Sequence, residues 1–162
     1  MKVALGSDHR GYELKKYLKS ILKKDEHTVI DFGTNSRESC DYPKYAFPLA
    51  LAVARKEFDR GILICATGIG MSIAANKVRG IRAALCFSPE VARLSREHNN
   101  ANILILAGMI IEKQLAARVC KIWLKSDFLG ERHSRRIEQI EKFEISGWKD
   151  GRADDCGALE KR

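Results

Sequence analysis

No apolar run in the sequence approaches the roughly 20 residues that a helix needs to cross a bilayer. The N-terminus enters a strand-like pattern instead of a basic segment followed by a cleavable apolar one. No membrane partner is expected, and the expected location is cytoplasmic. Aromatic residues make up only 7% of the chain and no basic stretch is interleaved with them, so no nucleic-acid partner is expected either. The five cysteines, at positions 40, 65, 86, 120 and 156, are irregularly spaced and contain no CxxC pair. That excludes a zinc knuckle or a disulfide framework as the organising device. His9, His98 and His133 lack HExxH spacing, so no metal site and no cofactor are expected.

What is present fits one ordinary globular domain. The chain has 162 residues, 45% apolar and 31% charged, which is enough to bury a core without staples and is unlike disordered, collagen-like or coiled-coil sequences. The net charge of +8 favours anionic partners without specifying them. In the tail, Lys149, Arg152, Lys161 and Arg162 are balanced by Asp150, Asp154, Asp155 and Glu160, so the excess belongs to the body.

Strand-like apolar runs at residues 2–6, 28–32, 61–65, 81–86 and 102–107 alternate with helical spacing. After the first run, Leu14, Tyr17, Leu18, Ile21 and Leu22 recur on one face. Further helices are expected at 42–58, opening with Pro43, and at 71–78, 89–98, 112–125 and 133–144. The runs ILIC, AALC and ILIL are apolar at every position, as strands are when helices cover both faces of a parallel sheet. The expected fold is therefore α/β, a Rossmann-like three-layer sandwich on a five-stranded parallel sheet, plus a C-terminal helix. Its ligand crevice should lie beyond the carboxyl ends of the strands. Residues 1–146 are expected to form the domain, and 147–162 a flexible extension with little periodicity.

Chemistry concentrates in ILICATGIGMS. Cys65 ends a buried strand, and Gly68 and Gly70 then lead into a helix whose mouth can cradle an oxyanion or phosphate. A helix mouth also favours the thiolate, making such a cysteine a usable base or nucleophile; a buried structural cysteine is the plainer alternative. Asp8 and His9 end the first strand and would adjoin Cys65 if strands one and three are neighbours, although Asp8 could simply cap the first helix. His98 and Asn99, before Asn100, close the fourth helix, where the histidine could act as acid or base or merely help end the helix. Arg132 and Arg136, four residues apart, share a helix face that could grip one phosphate or simply face water.

Taken together, SDHRGYELK, DFGTNSRESCDYP, GILICATGIGMSIAANKVRGIRAALC, ARLSREHNNANILILAG and ERHSRRI resemble the type B ribose-5-phosphate isomerases. That family also holds the galactose-6-phosphate isomerase subunits and the allose-6-phosphate isomerases. The resemblance covers about residues 1 to 145. It implies a metal-independent aldose–ketose isomerase of a phosphorylated sugar in the pentose phosphate pathway, working as a homodimer or homotetramer with shared active sites.

By the same resemblance, Cys65 is the general base between C1 and C2. The backbone of Ala66, Thr67, Gly68, Ile69 and Gly70 forms the anion hole for a cis-enediolate. His98 opens the sugar ring with help from Asp8 and the Thr67 hydroxyl, and Asn99 orients substrate hydroxyls. His9, Arg132 and Arg136 hold the phosphate, the arginines coming from across the interface. Three residues depart from the pattern: Ala66 replaces a common glycine, Glu131 stands in GERH where GGRH is common, and Met109 occupies the place of a substrate-contacting arginine. Met109 keeps allose or galactose 6-phosphate open as alternatives. From other classes come a non-catalytic sugar-phosphate binding subunit and a flavodoxin-like electron carrier, the latter lacking the expected phosphate loop and flavin-stacking aromatics.

Overall fold

The computed structural model describes residues 1–146; the tail expected to be a flexible extension lies outside them. Two compact units are distinguished, Met1–Gly130 and a second beginning at Glu131. In the first unit, β1 (Lys2–Ser7), β2 (Thr28–Asp31), β3 (Arg60–Cys65), β4 (Ala83–Leu85) and β5 (Ile103–Ala107) alternate with five helices. These are α1 (Tyr12–Lys24), α2 (Pro43–Ala54), α3 (Ile69–Ala75), α4 (Pro89–Asn99) and α5 (Lys113–Lys125). The strands form one parallel sheet in the order β2-β1-β3-β5-β4. The expected α/β architecture is borne out, with the reversal of strand order at the β1–β3 junction.

The uniformly apolar strands follow from two-sided burial. Val3, Leu5, Ile62, Ile64, Leu104 and Leu106 pack on one face among side chains of α1 and α5. Ala4, Leu63, Cys65, Ile103 and Ile105 pack on the other face among side chains of α2 and α3. Alternate residues of each strand thus enter different cores, and both positions must be apolar.

Element boundaries depart from the sequence reading where single residues intervene. The second helix ends at Ala54, short of residue 58, because the chain turns at Lys56 with φ 59°. The third starts earlier, at Ile69, because Gly68 takes φ 78° and releases the chain from β3. β4 is confined to three residues.

The second unit contains α6 (Arg132–Ser146), entered through Glu131 at φ 47°. His133 and Ile137 are buried, whereas Ile140, Phe143 and Ile145 are exposed. No helix among the described residues is long and apolar enough to cross a membrane.

Candidate active site

Strand register assembles the site. Ser7 pairs with Ile64 across β1–β3, and Cys65 pairs with Ala107 across β3–β5, so three adjacent strands end level with one another. Beyond those ends the loops are stitched together. The Asp8 amide donates to the Ile64 carbonyl (3.2 Å), the Gly108 amide to the Cys65 carbonyl (2.8 Å), and the Met109 amide to the Ala66 carbonyl (3.0 Å). Cys65, 5% exposed, lies at the end of the central strand, with the Asp8 loop on one side and the Gly108 loop on the other.

The segment after Cys65 is shaped by what glycine allows. At φ 78°, Gly68 occupies the left-handed region, and a Cβ there would meet Leu85 Cδ1 at 2.4 Å. A side chain would therefore clash as well as strain the backbone. The Ile69 amide turns back to Thr67 Oγ1 (3.4 Å), which holds the exposed Thr67 over the turn. The Tyr42 ring covers the loop from outside, since a Cβ on Gly70 would stand 2.7 Å from it.

Asp8 does two jobs. Its Oδ1 accepts from the amides of Arg10 (2.9 Å) and Gly11 (3.0 Å), closing the turn into α1. The N-cap of α1 is Gly11, with no side-chain cap hydrogen bond, so the capping role open to Asp8 from sequence is not the one it takes. It closes the turn ahead of the helix, while its own amide fixes it beside β3. His9 is next in line, and its Nδ1 accepts from the Cys40 amide at 3.2 Å, with the Cys40 Sγ 3.7 Å from the same nitrogen.

His98 and Asn99 do not join this cluster within the chain. They close α4, which runs back from the C-terminal end of β4 toward the edge where the strands begin. There the Asn99 and Asn100 carbonyls accept from Arg82 Nε, just ahead of β4 (3.1 and 3.3 Å). An eleven-residue helix is about 16 Å long, so His98 lies at the far end of the sheet from Cys65. Arg96 locks it there. Its guanidinium, 2% exposed, donates to the Ala101 carbonyl (2.6 Å), Asn100 Oδ1 (2.9 Å) and the Ser126 carbonyl (3.3 Å), and burial pulls its pKa down to about 10. Arg132 and Arg136 lie on α6 in the second unit, both exposed, with Arg132 Nε 3.4 Å from His133 Nε2.

The other buried cysteines are chemically quiet. Desolvation pushes the Cys86 thiol up to about 11 and raises that of Cys120 further, as suits the small buried hydrophobes expected from sequence. Among the described residues, no group of three or more His, Cys, Asp or Glu side chains is placed to hold a metal ion.

This geometry, with a cysteine at the end of a central parallel strand above a glycine turn and beside an Asp–His pair, has close counterparts. Residues 3–140 match the family described as Ribose/Galactose Isomerase. The chain belongs to that family. Ribose-5-phosphate isomerase B of Escherichia coli is 47% identical over 143 residues, covering 88% of this chain and 96% of that protein. Ribose-5-phosphate isomerase B of Clostridium thermocellum has a structure similar to this one with a TM-score of 0.89 at 51% identity, over 90% of this chain and 99% of that one. The Mycoplasma genitalium ribose-5-phosphate isomerase B structure, which holds bound ribulose-5-phosphate, gives a TM-score of 0.87 at 40% identity, over 90% and 97%. The resemblance seen in the motifs is borne out. This member of the isomerase family is a sugar-phosphate isomerase of the aldose–ketose type, and the electron-carrier and non-catalytic readings fall away.

Sequence reasoning missed several residues that shape the candidate site. Gly11 is required by close packing, since a Cβ at position 11 would lie 2.5 Å from the Ile64 carbonyl oxygen, and Gly108 is tightly packed, since one at 108 would lie 3.1 Å from Ile64 Cγ2 and 3.3 Å from the Cys65 carbonyl oxygen. Tyr42 and Cys40 reach the site only through tertiary folding. The DYP segment and the lone glycines were visible, but nothing in their spacing pointed to Gly70 or His9.

Proposed function

We propose that this enzyme interconverts ribose 5-phosphate and ribulose 5-phosphate through a cis-enediolate, with the Cys65 sulfur as the base. In this reading the sulfur takes the proton from C2 of the open-chain aldose, and the electron pair moves into the C1–C2 enediolate with negative charge on O1. The O2 hydroxyl proton passes to O1 as the C2 carbonyl forms, and the sulfur returns its proton to C1. Charge developing on the substrate oxygens requires donors already in place, a role for the amides of residues 66–70. His98, with Asp8 and the Thr67 hydroxyl, opens the ring, and Asn99 orients substrate hydroxyls. His9, Arg132 and Arg136 take the phosphate, whose binding energy fixes C1 and C2 over the base. The observation that carries this reading is the position of Cys65, ending β3 directly beside the Asp8–His9 loop. The names and the bound ketose of its relatives support the choice of substrate.

The placement of His98 at the opposite end of the sheet supports a further element of the proposal. The His98 and Asn99 of each site come from another copy of the chain and join the Asp8 and Thr67 already beside Cys65, in a homodimer or homotetramer working in the cytoplasm.

The test is conversion of ribose 5-phosphate by purified protein, followed by product analysis, with Cys65→Ala alongside. Turnover in the wild type and its loss in the variant are expected. Undiminished turnover in Cys65→Ala would remove the sulfur from the mechanism. Met109, 63% exposed just past β5 and tethered through its amide to Ala66, favours a second reading with a six-carbon substrate. Allose 6-phosphate and galactose 6-phosphate in the same assay decide between them.

A further inference from the structure

We propose that Cys40 is a positioning residue whose backbone amide locks His9 in the Nε2–H tautomer, so that His9 meets the substrate phosphate as a fixed hydrogen-bond donor. This rests on the phosphate role proposed for His9.

An amide nitrogen can only donate, so the 3.2 Å bond from Cys40 N–H to His9 Nδ1 assigns that ring nitrogen as acceptor. In a neutral imidazole the proton then sits on Nε2. The nearby Cys40 Sγ, 3.7 Å from Nδ1, is not needed for the assignment.

The loop that brings Cys40 to His9 is held over much of its length. Lys15, 1% exposed, donates from Nζ to Asp31 Oδ1 (2.7 Å) and to the Thr34 carbonyl (2.6 Å). The Thr34 amide donates to the Ser7 carbonyl (3.0 Å), and the Gly33 amide to Asp31 Oδ1 (3.0 Å). Further out, the Arg37 guanidinium donates through Nε and Nη2 to Glu13 Oε1 (2.8 and 2.6 Å). The loop is thus tied to β1, β2 and α1 before it reaches Cys40, and the amide arrives at Nδ1 in a set position. Such preorganisation of a donor removes the need to select a tautomer on binding.

The test uses nitrogen-15 spectra of the full-length protein without substrate, at mildly alkaline pH, with His9 assigned by loss of its signal in His9→Gln. Wild type and Cys40→Ala, which keeps the amide, should both show an unprotonated Nδ1 and a protonated Nε2. Cys40→Pro, which lacks the amide, should show mixed tautomers and raise KM for ribose 5-phosphate about fivefold, as for one lost hydrogen bond, with kcat held. An Nδ1–H tautomer in the wild type overturns the proposal, and so does a Cys40→Pro variant with unchanged tautomer or unchanged KM. Should Cys40→Pro fail to fold, the wild-type spectrum still decides. Steady-state kinetics add a second readout: His9→Gln places an amide donor near the Nε2 position and should keep a lower KM than His9→Asn, and the reverse order overturns the proposal. Because the tautomer is read without substrate, an absence of isomerase activity would overturn the functional reading and leave the tautomer result standing.

Discussion

The amide of Asp8 donates to the carbonyl of Ile64 at 3.2 Å, which fastens the first loop one residue ahead of Cys65. Gly11 permits this approach. A Cβ at position 11 would stand 2.5 Å from that same carbonyl oxygen, and backbone cannot give way as a flexible side chain can. Gly11→Ala should therefore displace the Asp8–His9 loop while leaving the sheet folded. The expected outcome is a loss of kcat/KM of about a hundredfold, the scale for misplacing reacting groups by about an ångström. Steady-state kinetics beside circular dichroism check it, and wild-type kinetics would show that the loop position does not matter.

Gly68 makes a different demand. A side chain there meets both a left-handed backbone, which costs about 1–2 kcal/mol, and Leu85, where overpacking costs about 1–3 kcal/mol. Gly68→Ala should thus lower unfolding stability by about 2–5 kcal/mol, measured by denaturant titration. Gly80, also at positive φ but with no atom within 4 Å of an added Cβ, is the control. Gly80→Ala should suffer the backbone strain alone.

Thiol chemistry should divide the cysteines. The thiolate is the nucleophile, so a pKa raised by burial, to about 11 for Cys86 and further for Cys120, leaves little reactive form at neutral pH. Alkylation of the native protein followed by peptide mass mapping should find Cys40, which is partly exposed, modified well before Cys86 and Cys120. Equal labelling of all three would mean that the core opens freely.

Asp31 should contribute to acid sensitivity. Burial alone raises its pKa, but hydrogen bonds from Lys15, Lys19 and the Gly33 amide outweigh this and hold the carboxyl below its usual value of 3.8. The folded state then binds fewer protons than the unfolded one in acid. The associated stability is present above about pH 4 and is lost as pH falls through the lowered pKa. Asp31→Asn should be less stable at neutral pH and show a shallower decline in stability below pH 4 in urea titrations. An unchanged slope would locate the acid sensitivity in other carboxylates.

Much of this molecule could be read from pattern, because two-sided burial marks a parallel strand in sequence. ILIC and ILIL could be assigned residue by residue, and Cys65 fell at a strand end for the same reason. Boundaries escaped where one backbone angle decided them, as at Lys56 and Gly68. Contacts brought about only by folding also escaped, among them Tyr42 over Gly70 and Cys40 against His9. The helix containing His98 was legible, but its direction placed that imidazole far from the sulfur it was grouped with. Periodicity gives a helix its faces and says nothing about which end meets which edge of the sheet.

That direction has a consequence for genetics. Under the proposed mechanism, a polypeptide damaged at Cys65 and another damaged at His98 are each inert alone, yet carry complementary halves. Producing Cys65→Ala and His98→Ala together in one cell should restore part of the turnover that neither supplies, because mixed assemblies pair an intact sulfur with an intact imidazole.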